Sequence, residues 1–189
     1  MSLEEVASRI ELARYDTRAV EPGSREKLLD RIAWAAYYND RVYEGCARCV
    51  LHALQTHLHL GNGATIQAST ALAGGVARMG ETCGALIGGI MAIGLVLGRE
   101  DLSDIGAYRK TMEASYRLYD RFRQEVGDTI CHNVQSELFA RTFDFKVAHE
   151  AESWYEEDGL HRCPAVCAVG ARLAAGIILD IRQNPVAPE

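Results

Sequence analysis

The sequence has no excess of positive charge. Lys and Arg total 20 and Asp and Glu total 26, so the formal net charge is −6. Because contacts with phosphate groups require a basic surface, this balance excludes nucleic acid as the main partner. The 189 residues are enough for one domain with a sizeable core.

The beginning of the sequence also lacks the apolar stretch of a secretory signal. The first five residues, MSLEE, are acidic, and no apolar h-region follows them. We therefore expect a cytoplasmic protein, in which thiols stay reduced. In that compartment, cysteine clusters bind metal or take part in catalysis more often than they form structural disulfides.

One apolar stretch is too short to span a membrane. Residues 82–98 carry no charge, but a spanning helix needs about 20 apolar residues. We expect instead a buried, Gly-rich helix and no membrane span. Gly84, Gly88 and Gly94 would let a neighbouring helix approach closely. That neighbour comes from the same chain or from a second copy, so a homodimer is one arrangement that this helix allows.

The sequence shows no internal repeat and no strand-like alternation, whereas apolar residues recur at helical spacing in most segments. The clearest helix carries an apolar stripe that we predict to be buried in the core: Ile105, Tyr108, Met112, Tyr116, Tyr119, Phe122 and Val126. A helix break is predicted at Asn39-Asp40. The last helix is predicted to begin at Pro164, since proline is favoured at the first helical position. We expect an all-α fold, a compact multi-helix bundle around the Gly-rich apolar helix.

Four of the six cysteines are predicted to lie at helix starts: Cys46, Cys83, Cys131 and Cys163. A helix N-terminus carries partial positive charge and free N–H groups, which stabilise a thiolate and lower its pKa. The thiolate is the form that binds metal or attacks a disulfide. A single free cysteine is often only a packed core residue, but four with the same placement favour a functional site.

The remaining cysteines, Cys49 and Cys167, are expected one turn further along their helices. They are candidates for accessory ligands or resolving thiols, and core packing is an equal alternative. Cys46-Ala47-Arg48-Cys49 is the single C-x-x-C motif, so the paired short spacings of a zinc site are absent. Val50 stands where a haem-attachment motif requires His.

Residues 80–95, GETCGALIGGIMAIGL, resemble the C-G-A-x-x-G signature of the C-GCAxxG-C-C family of redox-active proteins. Cys46-Ala47 resembles the first cysteine motif of that family, and residues 122–131 resemble its helix–Gly–turn–Cys segment. Cys163-Pro164 resembles the final cysteine motif, and Gly74-Gly75 matches the Gly-rich loop. The resemblance covers residues 45–180.

This resemblance implies a division of the chain and a site. Residues 1–44 would be an N-terminal helical extension, residues 45–182 a four-cysteine redox domain, and residues 183–189 a tail. A more distant similarity links the cysteine pattern to split-Soret cytochromes, which carry an iron–sulfur cluster beside haem. Since the haem-attachment motif C-x-x-C-H is missing here, this similarity implies an iron–sulfur cluster but no haem.

The resemblance thus implies an iron–sulfur cluster held by the four cysteines named above. Gly84 would leave room beside the Cys83 sulfur, and Arg162 or Arg48 would offset the negative charge of the cluster. The four sulfurs are predicted to converge in space.

Three functions stay open. The first is electron transfer with an unidentified donor or acceptor protein. The second is an enzyme that uses dithiol–disulfide exchange, with Cys83 as the attacking thiolate. The third is a non-catalytic helical assembly module.

Overall fold

The computed structural model describes residues 25–183, and this part of the chain is all-α. It contains eight α-helices, one short 3-10 helix and no β-strand. The elements are α1 Arg25–Tyr43, α2 Cys46–Leu58, α3 Gly63–Ser69, the 3-10 helix Thr70–Leu72, α4 Gly84–Leu97, α5 Ile105–Val126, α6 Cys131–Phe139, α7 Ala148–Glu156 and α8 Gly159–Gln183. The predicted fold class is confirmed. Residues 1–24 and 184–189, which belong to the predicted extension and tail, lie outside the described range.

The Gly-rich helix α4 lies at the centre of the core, as predicted. Helices α2, α5 and α8 pack around it, and α1 packs along α8 and α2. Leu86 and Ile93 of α4 are fully buried. Each such side chain contributes about 1.5–3 kcal/mol relative to exposure, so apolar burial around α4 is a large part of what holds the helices together.

Two of the three glycines predicted to allow close packing do so. A Cβ built on Gly84 would lie 2.2 Å from Cys46 Sγ, and one on Gly88 would lie 2.4 Å from the carbonyl oxygen of Ala47. Gly94 does not, because a Cβ there would meet no atom within 4 Å. The close approach is therefore made by α2, within the same chain, and it is confined to the N-terminal half of α4.

Of the stripe predicted for α5, only the C-terminal end is buried. Phe122 and Val126 are in the core, whereas Tyr108 and Tyr116 are 46% and 61% exposed. The first buried residue of the helix is Ala114. The prediction was wrong at Ile105 and Tyr108 because the first turns of α5 extend beyond the core. It was also wrong at Tyr116 and Tyr119, because the buried face at this level of the helix is formed by Ala114, Ser115 and Leu118 instead.

Two predicted helix boundaries were also wrong. Helix α1 continues through Asn39-Asp40, and its apolar side chains join the same core as α2 and α8. Helix α8 begins at Gly159 rather than at Pro164. The carbonyl of Asp158 accepts hydrogen bonds from the amides of His161 and Arg162, which starts the helix one turn earlier. Pro164 then lies inside the helix and leaves one backbone hydrogen bond unmade.

Within the described residues, one helix is long and apolar enough to cross a membrane when judged by length and composition alone. This is α8, and 67% of its most apolar window is buried inside the protein. Core helices of soluble proteins pass the same test. Helix α4, with 14 residues, is shorter than a membrane span.

Candidate cysteine site

The four cysteines predicted to form a site lie at one end of the helix bundle. Cys46, Cys131 and Cys163 line the same cavity, whose volume is about 630 Å³. Cys83 is buried, and burial is the main reason why its pKa is raised; Cys46, Cys131 and Cys163 lie close enough to raise it further. All six cysteines are free thiols. The fold therefore brings together four thiols that are far apart in the sequence.

A short backbone pairing holds Cys83 beside Cys131. The amide of Cys83 donates to the carbonyl of Thr129 at 2.8 Å, and the amide of Cys131 donates to the carbonyl of Glu81 at 2.6 Å. Cys83 is the N-cap residue of α4, and Cys131 is the first residue of α6. The starts of two helices are thus tied together at their cysteines.

The other two cysteines come from α2 and α8. Cys46 is the first residue of α2 and follows Gly45, which has a left-handed backbone with φ 94°. Gly84 is packed against the Cys46 sulfur, so α2 and α4 meet at this point. Cys163 lies one turn inside α8 rather than at its N-cap, and it still reaches the cavity wall.

A left-handed turn closes the cavity on one side. Residues 74–78 all have positive φ angles, of 63°, 69°, 59°, 52° and 63° in order. A hydrogen bond from the backbone of Gly74 lowers the pKa of Cys46. A Cβ on Gly75 would lie 2.6 Å from the Cβ of Cys131, so the turn contacts two of the four cysteines and requires glycine where it does so.

The thiol pKa values are raised, which is opposite to the direction predicted from the helix starts. Burial raises the pKa of Cys46 to about 12, although the cavity leaves part of this residue accessible. Burial also raises the pKa values of Cys83 and Cys163 well above the ordinary range, and to a smaller extent that of Cys131. The hydrogen bond from the amide of Ala85 lowers the pKa of Cys83, but the loss of water around a thiolate has the larger effect.

The sequence gave no sign that Asp40 belongs to this site. Its side chain is 6% exposed, lines the cavity, and accepts a hydrogen bond from Cys167 Sγ at 3.3 Å. Burial raises the pKa of Asp40 to about 6. Cys49 Sγ donates to the carbonyl of Glu44 at 3.3 Å. Both cysteines outside the family pattern are therefore hydrogen-bonded to the segment that was assigned to an extension: Cys167 to Asp40 of α1, and Cys49 to Glu44, which directly follows α1.

Two N–H groups lie close to the sulfurs. Gln135 Nε2 donates to Cys131 Sγ at 3.3 Å, while its Oε1 accepts from the amide of Phe143 at 2.8 Å. The indole N–H of Trp154 lowers the pKa of Cys163, yet it has no hydrogen-bond partner of normal geometry. The spacing of four residues between Cys131 and Gln135 is a signal that could have identified Gln135. No spacing signal exists for Trp154.

Of the two arginines considered from the sequence, Arg48 lines the cavity and Arg162 does not. The Arg162 guanidinium donates to the carbonyl of Leu138 and lies 5.1 Å from the centre of the Phe139 ring. Its charge is therefore used on the surface near α6, and this geometry gives no support to its predicted role beside a cofactor. Gly84 was predicted to leave room beside the Cys83 sulfur. In the structure, the sulfur that lies against Gly84 is that of Cys46.

Within residues 25–183, no group of three or more His, Cys, Asp or Glu side chains is arranged to hold a metal ion. The thiols are therefore not arranged as a mononuclear Cys₄ zinc site. An iron–sulfur cluster needs a different spacing, because several irons and sulfide ions lie between the cysteines that hold it. The donor set fits such a cluster in kind: it has four thiols, an amide N–H that donates to Cys131 and an indole N–H close to Cys163.

These features define an all-α protein with a buried site of several cysteines beside a cavity. The sequence matches one protein family over residues 44–177, more than two thirds of the chain. The chain belongs to this family, which is described as "Putative redox-active protein (C_GCAxxG_C_C)". Searches of the curated proteins and of the solved structures found no match, so the similarity to split-Soret cytochromes stays a prediction.

Proposed function

We propose that the chain binds an iron–sulfur cluster through Cys46, Cys83, Cys131 and Cys163 and serves in electron transfer. The observation that carries this proposal is the meeting of four thiols from four chain segments around the glycine that starts α4. When bound, a cluster of this kind supplies electron-transfer chemistry, and its reduction potential depends on hydrogen bonds to its sulfurs and on burial.

The surrounding residues suit a negatively charged group. Gln135 already donates to Cys131 Sγ. Three of the four cysteines lie at helix starts, where backbone N–H groups carry partial positive charge. Arg48 lines the cavity and adds a full positive charge. These groups would stabilise thiolates that are held by a metal.

Thiol–disulfide exchange is less well supported. A thiol with a raised pKa is protonated at neutral pH and is a weak nucleophile. This applies most strongly to Cys83, the candidate attacking thiol, because it is buried and surrounded by the other cysteines. A non-catalytic assembly module gives no reason for a buried carboxyl, Asp40, beside a group of thiols.

The setting and the partner belong to the same proposal. We propose a cytoplasmic protein that exchanges electrons with a donor or acceptor protein, with no nucleic-acid partner. The net charge of −6 and the use of cysteines as free thiols support this setting. A homodimer is consistent with the half-buried apolar residues Ile87, Ile90 and Leu95 of α4.

Substitution of single cysteines tests the proposal. After anaerobic expression, Cys83→Ala should be folded by circular dichroism and should have lost most of its iron and its visible absorption. Cys49→Ala is the matched control, because Cys49 is also a buried thiol but lies outside the family pattern. It should retain most of the iron. Unchanged iron in Cys83→Ala would remove this cysteine from the ligand set.

A further inference from the structure

The cavity beside the cysteines is larger than the sulfur atoms alone require. Its volume of about 630 Å³ falls in the range typical of small-molecule sites, about 300–1,000 Å³. Three thiols line it, and so do the aromatic side chains of Tyr43, Phe145, Trp154 and Tyr155. This combination is typical of a site that encloses the body of an organic molecule next to reactive groups.

Two arginines line the same cavity without a carboxylate partner. Arg48 donates to the backbone carbonyls of Glu44, at 3.0 Å, and Tyr43, at 2.5 Å. Arg78 donates to the carbonyl of Phe145 at 3.4 Å. Neither forms an ion pair with any residue in the part of the chain that the structure describes. The charge of Arg48 nevertheless acts on Asp40 and Cys49, where it lowers the pKa of each group. Arg78 is therefore the guanidinium that remains available to an anion in the cavity.

The carboxyl groups of the cavity already have hydrogen-bond donors. Asp40 is buried and accepts from Cys167, and Glu44 accepts from the hydroxyl of Tyr155 at 2.9 Å. Neither carboxyl is in contact with Arg78, so neither neutralises that guanidinium directly.

The backbone that carries Arg78 is strained. It is the last residue of the left-handed turn, and the three residues 76–78 are not glycine. A left-handed conformation is unfavourable for a non-glycine residue, because its Cβ approaches the following carbonyl oxygen. Such strain is often kept where it places a functional group, and here it places Arg78 at the cavity.

A buried polar group points to the same conclusion. Trp154 is 8% exposed and lines the cavity. Among residues 25–183, its indole N–H has no hydrogen-bond partner of normal geometry, and its contact with Cys163 is poorly aligned. An unpaired buried donor is costly in a protein interior. A ligand that carries an acceptor would satisfy it.

We propose that this cavity binds a small aromatic carboxylate or a chemically similar organic anion. Arg78 holds the negative group, and the aromatic side chains pack against the body of the molecule. The Trp154 N–H donates to an acceptor on it. The inference rests on the proposed function only in that the bound molecule would then lie within reach of the redox centre. The proposal adds a small-molecule ligand to this site, beside any partner protein.

Benzoate is a suitable probe, with benzamide as the uncharged molecule of the same shape. The chain has two tryptophans, so Trp34→Phe leaves Trp154 as the single fluorescent reporter. On iron-free protein, benzoate should change the Trp154 emission in a saturable manner and should be retained in equilibrium dialysis. Benzamide should bind at least about tenfold more weakly, because it makes no charge-assisted hydrogen bond to Arg78.

Arg78→Met should weaken benzoate binding about ten- to a hundredfold. Arg109→Met, which changes an exposed arginine of α5 outside the cavity, should leave it unchanged. Absence of saturable binding in both assays, equal binding of benzamide, or an unaltered Arg78→Met variant would overturn the inference.

Iron is measured separately on anaerobically prepared protein, so the two proposals fail in different ways. Iron without benzoate binding would remove only the cavity inference. Benzoate binding in a chain that never contains iron would remove the cluster proposal and leave the anion site in place.

Discussion

At the scale of a single residue, two effects act on Cys83 in opposite directions. As the N-cap residue of α4 it receives a hydrogen bond from the amide of Ala85, which lowers its pKa. Burial and the neighbouring thiolates raise its pKa, and burial is the largest effect. The helix start therefore does not make this thiol reactive by itself. A metal cation would reverse the balance, because it stabilises the thiolates that otherwise repel one another.

The raised pKa values predict slow alkylation in iron-free protein. For an ordinary thiol with a pKa near about 8.5, the rate of reaction with iodoacetamide levels off once the pH exceeds that value. For Cys46, whose pKa is raised to about 12, less thiolate is present at each pH, so the rate should still be rising at the highest pH at which the protein stays folded. Peptide mapping over a pH series, with glutathione as the reference thiol, measures this. A plateau for Cys46 below the glutathione plateau would indicate a low pKa and would favour thiol exchange.

Asp40 is an example of a site residue that could not be predicted from the sequence. A polar Asn39-Asp40 pair normally indicates an exposed surface or a helix break. Nothing in the local sequence shows that α1 continues through this pair and buries the carboxyl group of Asp40. The burial of Asp40 depends on α8, since Cys167 is its hydrogen-bond donor from 127 residues away. Such a contact is determined by tertiary packing and not by spacing.

At the scale of the helices, the glycines of α4 provide a matched pair of variants. Gly84→Ala would place a Cβ 2.2 Å from Cys46 Sγ and 3.1 Å from the amide nitrogen of Ala47. We expect it to lower the free energy of unfolding by about 1–3 kcal/mol, the usual cost of overpacking, and to lower the iron content. Gly94→Ala meets no atom within 4 Å and should raise the free energy of unfolding by about 0.5–1 kcal/mol.

Urea unfolding of the two variants measures this difference. If Gly84→Ala were as stable as Gly94→Ala, the close contact between α2 and α4 at the cysteines would be incorrect.

The first residues of the helices were predicted better than the side chains that each helix buries. The starts at Cys46, Cys83 and Cys131 follow from local signals, namely turn residues just before each segment, and all three are correct to within one residue. The start of α8 was missed because Pro164 is a strong local signal for a helix start. The hydrogen bonds to the carbonyl of Asp158, in the connection from α7, begin the helix before that proline. The tyrosines of α5 were assigned to the core because they recur at helical spacing. That spacing does not show how far the core extends along the helix, and it does not show that the smaller residues Ala114, Ser115 and Leu118 form the buried face beside Tyr116 and Tyr119.

At the scale of the whole molecule, α8 decides whether the protein needs a membrane. It is apolar enough for a span by composition, but its apolar side chains are used in packing against α1 and α4. We expect the protein, expressed and lysed without detergent, to remain in the supernatant after ultracentrifugation. Recovery only in the membrane fraction, with release by detergent, would show that α8 is not a core helix in the cell.

The measurement that tests the central claim most directly is the iron and acid-labile sulfide content of the anaerobically purified chain. We expect iron and sulfide in equal amounts, a brown colour with absorption in the visible range, and loss of both iron and sulfide when Cys46, Cys83, Cys131 or Cys163 is replaced by alanine. A colourless protein that contains neither iron nor sulfide after anaerobic preparation would contradict the claim that these four cysteines hold an iron–sulfur cluster.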